Sequence, residues 1–414
     1  MSRSTRRSFL TRTAELAGTA ALGRTAFGSK APAANVSELK IAKIEAIPLS
    51  YPTAGRFKFF EGPRGEPLGH RTVIVKVTAE DGSVGWGQSV PSNKWSYETP
   101  ETVKTTIDGY LAPVLVGQNA MDIDALHTAM NTIIAPSFST GQPICKAGVD
   151  LALFDLTCKH LDQTARQRWE RQGRRRIPLS WTLNPLSLDD VPRLIEEGFQ
   201  RGYRNFNIKV APDPAFDVQL CRLVKRLVPE GFLWADANGG YDEATALAVA
   251  PRLADAGAAV LEQPLRPNQI TGYQRLKKQG ALPIILDESL VHSSDLAQFI
   301  KLEMLDGIAM KIPRSAGLTD ARRQVEMALE HGLMFLGSGL TDPDLSLAAS
   351  LLLYGAYDLQ YPAALNGPQF LEGSILKQPF QVVDGQLAVP EGVGLGVQVD
   401  EDRLQEMRQA RIRS

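Results

Sequence analysis

The sequence reads Phe206-Asn207-Ile208-Lys209-Val210 at the first of five similar segments, in each of which a short apolar run ends in a charged residue. The other four are Trp234-Ala235-Asp236-Ala237-Asn238, Val260-Leu261-Glu262-Gln263-Pro264, Ile285-Leu286-Asp287-Glu288-Ser289 and Ala309-Met310-Lys311-Ile312. The charged residues follow one another at intervals of 27, 26, 25 and 24 residues. Such a regular step is typical of a repeated strand–loop–helix unit. Because the apolar runs do not alternate with polar residues, they favour strands buried on both faces of a parallel sheet.

The same spacing continues on both sides of these segments. A strand is expected at 177–183, a seventh strand ends at Gly337, 26 residues after Lys311, and an eighth is expected near 360–365. Helical patterns lie between the strands, at 188–201, 215–228, 242–256, 268–279, 294–302, 319–331 and 343–354. This alternation predicts an α/β fold, a (β/α)7-8 TIM-type barrel that occupies residues 166–379.

The residues before the barrel predict an N-terminal α+β capping domain over 35–165. Alternation at 39–47, together with two β-like runs that flank the hairpin signal Asp81-Gly82, predicts three strands. Three helical stretches follow, at 101–115, 122–134 and 144–161. The C-terminal segment, 380–414, contains a hairpin pattern and is expected to return to the cap.

A loop at 55–63 separates the first two strands of the predicted cap. It is bounded by glycine and contains aromatic and basic residues, among which Arg56, Lys58 and Phe59 are candidate substrate contacts. A loop of this composition is either a mobile hairpin connection or a lid that closes over an anionic ligand.

The first 34 residues resemble a twin-arginine export signal. Arg6-Arg7 precede Phe9-Leu10, an Ala/Gly/Leu-rich stretch follows, and Ala31-Pro32-Ala33 offers a small-x-small cleavage site. Glu15 and Arg24 interrupt the apolar stretch, which argues against a transmembrane helix. The segment predicts a periplasmic protein without a membrane anchor. The alternative is a disordered basic N-terminus.

Composition places the 414-residue chain among ordinary globular proteins. Hydrophobic residues make up 43% of it, and its formal net charge is −1. That charge gives no electrostatic reason to expect nucleic acid or an anionic membrane as a partner. Three cysteines, an odd number, do not suggest a disulfide framework.

The three acidic residues predict a metal site. In a barrel the active site lies at the C-terminal ends of the strands, so Asp236, Glu262 and Asp287 are expected to face one another. Three carboxylates in one cleft need a compensating cation, and ligation by oxygen alone favours Mg²⁺, with Mn²⁺ as the second candidate. A single acidic residue at a strand end is more often a helix cap, whereas three in register favour a metal.

The two lysines predict proton transfer. Lys209 comes one strand before the acidic residues and Lys311 one strand after them, which places an amine on either side of the expected metal. A proton α to a carboxylate is weakly acidic. A divalent ion stabilises the enediolate that forms when an amine removes it. The alternative for either lysine is a salt bridge to the carboxylates.

These segments resemble the enolase superfamily, and within it the muconate lactonizing enzyme (muconate cycloisomerase) subgroup. The resemblance extends over nearly everything after residue 38. It implies that Asp236, Glu262 and Asp287 bind Mg²⁺ and that Lys311 is the base on the sixth strand. Asn238 and Glu288 are then expected to hold the metal-binding carboxylates in place.

The resemblance departs from the subgroup at the second strand, where Asn207-Ile208-Lys209 stands in place of Lys-x-Lys. Lys209 matches the second lysine. Asn207 takes the place of the first and is expected to support the neighbouring carboxylates. Because a positive charge is lost there, Lys209 is expected to hold its proton more firmly. The seventh strand has no histidine of the kind that marks the mandelate racemase subgroup.

The function expected from these features is a Mg²⁺-dependent isomerase that abstracts the proton α to a carboxylate, either a cycloisomerase or a racemase/epimerase. Two alternatives are a dehydratase of a hydroxy acid or cyclic hydroxy amino acid and a non-catalytic periplasmic binding protein. The expected partner is a small carboxylate. Because barrels of this kind commonly assemble, a homo-oligomer is also expected.

Overall fold

The computed structural model describes residues 38–61 and 69–413; the predicted export signal, 1–34, lies outside this range. The cap contains an antiparallel sheet in the order β1-β2-β3. Its strands are β1 (Ile41–Tyr51), β2 (His70–Ala79) and β3 (Val84–Ser89). The predicted cap strands are therefore confirmed, and β1 and β2 are longer than the alternation indicated.

Helices cover one face of the cap sheet. They are α1 (Pro100–Thr106), a π-helical turn (Ile107–Leu111), α2 (Ala112–Leu115), α3 (Ile123–Ile133), α4 (Pro143–His160) and α5 (Ala165–Trp169). A capping box begins α1, since Thr99 and Thr102 each bond the backbone N–H of the other. The predicted helix 101–115 is thus three consecutive segments.

Helix α4 is the most deeply buried element of the cap and also contacts the barrel. It lies very close to β3: a Cβ atom at Gly87 would come within 2.1 Å of the carbonyl oxygen of Gly148. On its other side, Asp150 accepts hydrogen bonds from the N–H and hydroxyl of Thr319, at 3.2 and 2.5 Å. A single helix therefore packs against both the cap sheet and the barrel.

The barrel is a parallel sheet of seven strands in the order β11-β10-β9-β8-β7-β6-β5. They are β5 (Ser180–Leu183), β6 (Asn205–Lys209), β7 (Leu233–Asp236), β8 (Val260–Glu262), β9 (Ile284–Leu286), β10 (Gly307–Met310) and β11 (Met334–Gly337). The predicted eighth strand is reduced to two parallel bridges, Leu179–Ala363 and Ser338–Ala364, between the first and seventh strands. These bridges complete the curled sheet.

Helices follow the strands as the alternation predicted. They are a 3₁₀ turn (Leu188–Asp190), α6 (Val191–Gln200), α7 (Pro214–Leu227), α8 (Glu243–Asp255), α9 (Ile270–Gln279), α10 (Ser293–Lys301), α11 (Leu318–Glu330), α12 (Asp344–Ala356) and α13 (Gly367–Phe370). Asp213 and Asp242 cap α7 and α8 by accepting backbone N–H bonds.

The predicted strand 177–183 is divided into two. Its first part, β4 (Arg176–Pro178), leaves the barrel and pairs antiparallel with β12 (Gln386–Ala388) from the C-terminal segment. The predicted hairpin therefore packs beside the start of the barrel. The later residues reach the cap: the N–H of Leu395 donates to Asp155 at 2.9 Å, and α14 (Glu401–Arg413) places Glu401 2.9 Å from Lys76.

None of the helices in the described part of the chain is long and apolar enough to cross a membrane. The cysteines Cys145 and Cys158 on α4 and Cys221 on α7 are buried free thiols.

Candidate active site

A cavity lies where the C-terminal ends of the barrel strands meet two loops of the cap. It contains predicted site residues from the strands β6, β7 and β8 and from the segment that follows β10. Residues of the loop at 55–61 also line it. The cavity is lined by Phe57, Phe59, Phe60, Ser92, Trp95, Asn207, Lys209, Asp236, Asn238, Glu262, Lys311, Ser338, Gly339, Leu340, Thr341, Ala364 and Asn366.

Strand register brings the charged residues together. Lys209 is paired with Asp236 across β6 and β7, and Asp236 with Glu262 across β7 and β8. On β9 the residue opposite Glu262 is Ile285, so Asp287 lies two positions further along the chain. All three carboxylates are buried, with at most 1% of each residue exposed.

Each lysine binds a different carboxylate. Lys209 donates to Asp236, and Lys311 donates to Asp287 at 2.5 Å. Burial alone would lower the pKa of Lys311, but Asp287 and the other nearby carboxylates raise it above its ordinary value. Burial alone would raise the pKa of Asp236, whereas Lys209 and Lys311 lower it. In this arrangement the ammonium groups balance the carboxylate charges.

Glu262 ends β8, which lies between β7 and β9 in the sheet. Its Oε1 atom is buried and accepts no hydrogen bond from the described residues. Burial, and then the charges of Asp236 and Asp287, raise its pKa well above the ordinary value. A buried, unpaired carboxylate beside two others is costly unless a proton or a cation neutralises it.

Arg314 is a site residue that sequence reasoning missed. It is 2% exposed, and its Nη1 atom donates to Asp287, while its Nε and Nη2 atoms have no partner in the described chain. Asp287 is therefore held by a guanidinium and an ammonium at once. Arg314 comes four residues after the end of β10, and nothing in the surrounding sequence indicates that it is buried.

Gln263 is a second residue that sequence reasoning missed. Its amide nitrogen donates to the hydroxyl of Ser289 at 2.7 Å, and its amide oxygen accepts from the N–H groups of Asp287 and Ser289, at 2.9 and 3.2 Å. The side chain thus fixes the segment that carries Asp287 to the end of β8. Its positive φ of 38° directs the chain away from the strand.

Asn238 and Glu288 lie beside the carboxylates, as expected. The N–H of Asn238 donates to Asp236 at 2.9 Å, and its amide donates to both Asp236 and Glu288 at 3.1 Å. Asn238 has a φ of 45°, which asparagine tolerates better than most residues. Burial, followed by the charge of Asp287, raises the pKa of Glu288 to about 7.

Trp95, from a cap loop, was not predicted. Its Nε1 atom donates to Glu288 at 2.8 Å, and the ammonium of Lys311 lies 4.7 Å from the centre of its ring. The cap therefore contacts both a candidate catalytic lysine and a carboxylate that supports the site. Only the fold could show this, since Trp95 and Lys311 are more than 200 residues apart.

Asn207 does not hold a carboxylate, contrary to the expectation from its position beside Lys209. It is 1% exposed and lines the cavity, and neither atom of its amide has a hydrogen-bond partner in the described chain. The interpretation of Asn207 as a support for the carboxylates is not borne out by these contacts, since its side chain lies in the cavity wall.

The loop at 55–61 covers the cavity, and Phe59 lines it. Phe57 stacks on Phe370 with ring centres 4.5 Å apart. Burial, and then the charge of Lys209, lower the pKa of Lys58, whose ammonium lies 5.1 Å from the centre of the Phe59 ring. Lys94 fixes the loop by donating to the carbonyl oxygens of Lys58, at 3.1 Å, and of Glu61.

Arg56 does not face the cavity. It pairs with Glu61 at 2.6 Å, and 46% of its side chain is exposed. It borders a separate surface cavity that also includes Leu186 and Arg193. Of the three loop residues proposed as substrate contacts, Phe59 lines the cavity, Lys58 lies beside the Phe59 ring, and Arg56 lies outside.

His70 lies under this loop, with its ring 4.8 Å from that of Phe60. Burial lowers its pKa to about 3, so the fold holds a neutral imidazole. Stability from this group is complete above pH 6.5, the ordinary value, and is lost as pH falls towards 3. Between pH 6 and pH 4, urea unfolding should show the wild-type free energy falling more steeply than that of His70→Phe, by about 1.4 kcal/mol per pH unit.

The matched control is His331→Phe at an exposed position, which should keep the wild-type slope. Equal slopes for wild type and His70→Phe would show that the imidazole is already protonated, or accessible to water, in the folded protein.

Whether a divalent cation fits can be judged from the donors. Within residues 38–61 and 69–413, no group of three His, Cys, Asp or Glu side chains is arranged so that it could hold a metal ion. The donor set nevertheless suits a hard cation, since Asp236, Glu262 and Asp287 offer only oxygen and Glu262 has an unpartnered oxygen. Lys209 binds an oxygen of Asp236, and Lys311 and Arg314 bind the oxygens of Asp287, so these three cations would have to shift.

Comparison with known proteins agrees with the fold. Residues 190–403 match the model for the enolase C-terminal domain-like family. Residues 68–167 match that for the mandelate racemase / muconate lactonizing enzyme N-terminal domain. Chloromuconate cycloisomerase CbnB of Cupriavidus necator is 31% identical over 344 residues, covering 82% of this chain and 91% of the relative. Muconate cycloisomerase 1-1 of Acinetobacter lwoffii is 29% identical, covering 89% and 96%.

Solved structures give the same result. The 2-chloromuconate cycloisomerase of Rhodococcus opacus is 30% identical and superposes with a TM-score of 0.80, covering 89% of this chain and 99% of that one. The muconate lactonizing enzyme of Pseudomonas fluorescens complexed with muconolactone is 27% identical with a TM-score of 0.82, covering 90% and 100%. The chain therefore belongs to the muconate lactonizing enzyme subgroup of the enolase superfamily, and it is an isomerase built as a TIM-type barrel with a capping domain.

Proposed function

We propose that this protein is a Mg²⁺-dependent cycloisomerase that moves a proton at the carbon α to a substrate carboxylate through an enediolate. The observation that carries the proposal is the placement of two amines: Lys209 and Lys311 bind different carboxylates of one buried cluster, and both line the same cavity. The similarity to muconate and chloromuconate cycloisomerases supports ring closure or opening as the reaction.

Asp236, Glu262 and Asp287 are the residues that would hold the cation, after Lys209, Lys311 and Arg314 release their oxygens. Bound there, a divalent ion would offset the carboxylate charges and stabilise the negative charge that develops on a substrate carboxylate. Glu288 and Asn238 keep Asp236 in position through the hydrogen bonds described above.

The lysines supply the proton chemistry. In ring closure, a carboxylate oxygen forms a C–O bond to an alkene carbon, and an ammonium gives its proton to the α-carbon. In ring opening, an amine removes that proton and the C–O bond breaks. Lys311 is 5% exposed and Lys209 only slightly more accessible, so water competes poorly for either proton.

Solvent exchange tests the reaction. The purified protein is incubated with Mg²⁺ in D₂O and with each of cis,cis-muconate, its monoamide, 2-chloromuconate and the corresponding lactones, and NMR follows the α-carbon. We expect conversion with one deuterium incorporated. Exchange without ring closure would identify a racemase or epimerase instead, and neither exchange nor conversion across these compounds would contradict the proposal.

We also propose export to the periplasm by the twin-arginine route, on the basis of Arg6-Arg7 and the following apolar stretch. In a bacterium with this pathway, a C-terminally tagged full chain should appear in the periplasmic fraction. Replacing both residues by lysine should retain it in the cytoplasm. Arg12→Lys is the control, and export unaffected by the double change would refute the assignment.

A further inference from the structure

Two asparagines give one side of the cavity an uncharged hydrogen-bonding surface. Asn207 and Asn366 both line the cavity, and 1% and 8% of their surfaces are exposed. Both atoms of the Asn207 amide, and Oδ1 of Asn366, lack a hydrogen-bond partner in the described chain. Buried amides are normally satisfied, so these atoms are available to a ligand.

The rest of the structure holds this surface in place. The Asn366 amide donates to the hydroxyl of Thr182 at 3.4 Å, and Thr182 is paired with Asn207 between β5 and β6. The backbone N–H and carbonyl of Thr182 both bond the amide of Gln369, at 2.9 Å each. The two asparagines therefore belong to one fixed stretch of the barrel wall, formed by the first, second and eighth units.

This stretch carries no formal charge. The other lining residues that adjoin it, Ser338, Thr341 and Ala364, are neutral too. The charged lining residues, Lys209, Asp236, Glu262 and Lys311, end strands β6, β7 and β8 or follow β10. A substrate whose carboxylate lies among the charged groups would therefore present its other end to neutral amides.

The unpartnered atoms specify what that other end must offer. Together they comprise one NH₂ group that donates and two oxygens that accept. A carboxamide provides both an acceptor and N–H donors, so it satisfies both kinds. A second carboxylate has no donor, and it would place a negative charge against two amide oxygens in a buried site. An ester or lactone carbonyl accepts but cannot donate.

We propose that Asn207 and Asn366 bind an uncharged amide group of the substrate, so that the enzyme selects carboxylates bearing an amide over dicarboxylates. The inference rests on the proposed function for one point, that the substrate carboxylate lies among the charged groups. Asn207 acts here as a determinant of specificity: where the subgroup's motif has a lysine suited to an anion, this chain has a neutral amide.

Binding of three matched probes tests this without turnover. Adipate, its monoamide and its monomethyl ester differ only at one end, as carboxylate, amide and ester. Calorimetry on the full-length folded protein, with and without Mg²⁺, should show the monoamide binding about tenfold or more tightly than either of the others, the equivalent of one satisfied hydrogen-bonding group. Asn207→Leu and Asn366→Leu should each reduce that preference towards unity, and Asn207→Lys should favour adipate.

Asn93→Leu is the control, because Asn93 lies exposed on the cap loop near the cavity and should leave the order of affinities unchanged. Circular dichroism and thermal unfolding verify that each variant is folded; if Asn207→Leu does not fold, Asn366→Leu carries the same test. Equal affinity for the three probes, or no detectable binding of the monoamide, would overturn the inference.

If adipate bound more tightly than the monoamide, and this preference were lost in Lys58→Met, the inference would also be overturned. The second carboxylate would then be assigned to the loop at 55–61. The reaction and the subsite can fail separately. Preference for the monoamide in a protein that shows no α-exchange would support the subsite and reject only the reaction.

Discussion

Replacing Lys311 by alanine should lower kcat by a factor of about 10²–10⁴, the range for loss of a general acid or base. The ammonium lies 2.5 Å from Asp287 and 4.7 Å from the ring of Trp95, and it lines the cavity. Among the described residues that line the cavity, the one other amine is Lys209, which binds a different carboxylate. KM should change less than kcat, because substrate binding depends mainly on other groups.

The measurement pairs turnover with α-proton exchange in D₂O. Lys301→Ala, a lysine on α10 away from the cavity, is the control and should retain wild-type turnover. Lys209 remains in Lys311→Ala, so a slow exchange on one face of the α-carbon should persist. Turnover within a few-fold of wild type would contradict the role of Lys311.

Glu262→Gln should abolish detectable turnover and, without metal, stabilise the folded protein. The pKa of Glu262 is raised well above its ordinary value by burial and by Asp236 and Asp287. Its contribution to stability is therefore complete at acidic pH and is lost as pH rises through the raised value. Glutamine cannot ionise, so the variant and the wild type should have equal melting temperatures near pH 4.5. Towards pH 8 the melting temperature of the variant should become the higher one, by about 2 °C or more.

Added Mg²⁺ should make the wild type more stable than Glu262→Gln. A ligand at 100 times its Kd stabilises a folded protein by about 2.7 kcal/mol, and the wild type should gain this while the variant gains little. Glu303→Gln, on the turn after α10, controls for loss of one negative charge. Wild-type and Glu262→Gln melting curves that respond equally to Mg²⁺ would contradict the assignment of Glu262 as a ligand.

The barrel could be predicted from the sequence because its strand–loop–helix unit recurs at a regular interval. The apolar runs and their regular interval located the strands β5 to β11, and strand register then placed Lys209 opposite Asp236. The eighth strand lies in the predicted range near 360–365, where it consists of two isolated bridges, at Ala363 and Ala364. The division of 177–183 into β4 and β5 depends on a partner more than 200 residues away, which no local pattern reveals.

The site was predicted in part for the same reason. Residues that end strands could be assigned to one cavity, whereas Trp95 enters from the cap and is placed by tertiary packing alone. Arg314 follows the sixth strand, but its burial against Asp287 could not be inferred from its neighbours. The pattern at Asn207 located its backbone correctly but did not show that its amide lacks a partner.

Because α4 is buried between the cap sheet and the barrel, the cap and the barrel are difficult to separate into independent modules. On the side of the cap sheet, Gly87 and Gly148 have no side chains, so the backbones of β3 and α4 lie in close contact. On the side of the barrel, Asp150 accepts a hydrogen bond from Thr319. A barrel expressed alone would present to water the surface that α4 now shields, and a cap borrowed from a relative would need the same small residues at both glycine positions. Exchange of loops is therefore a more practical route to new specificity than exchange of whole modules.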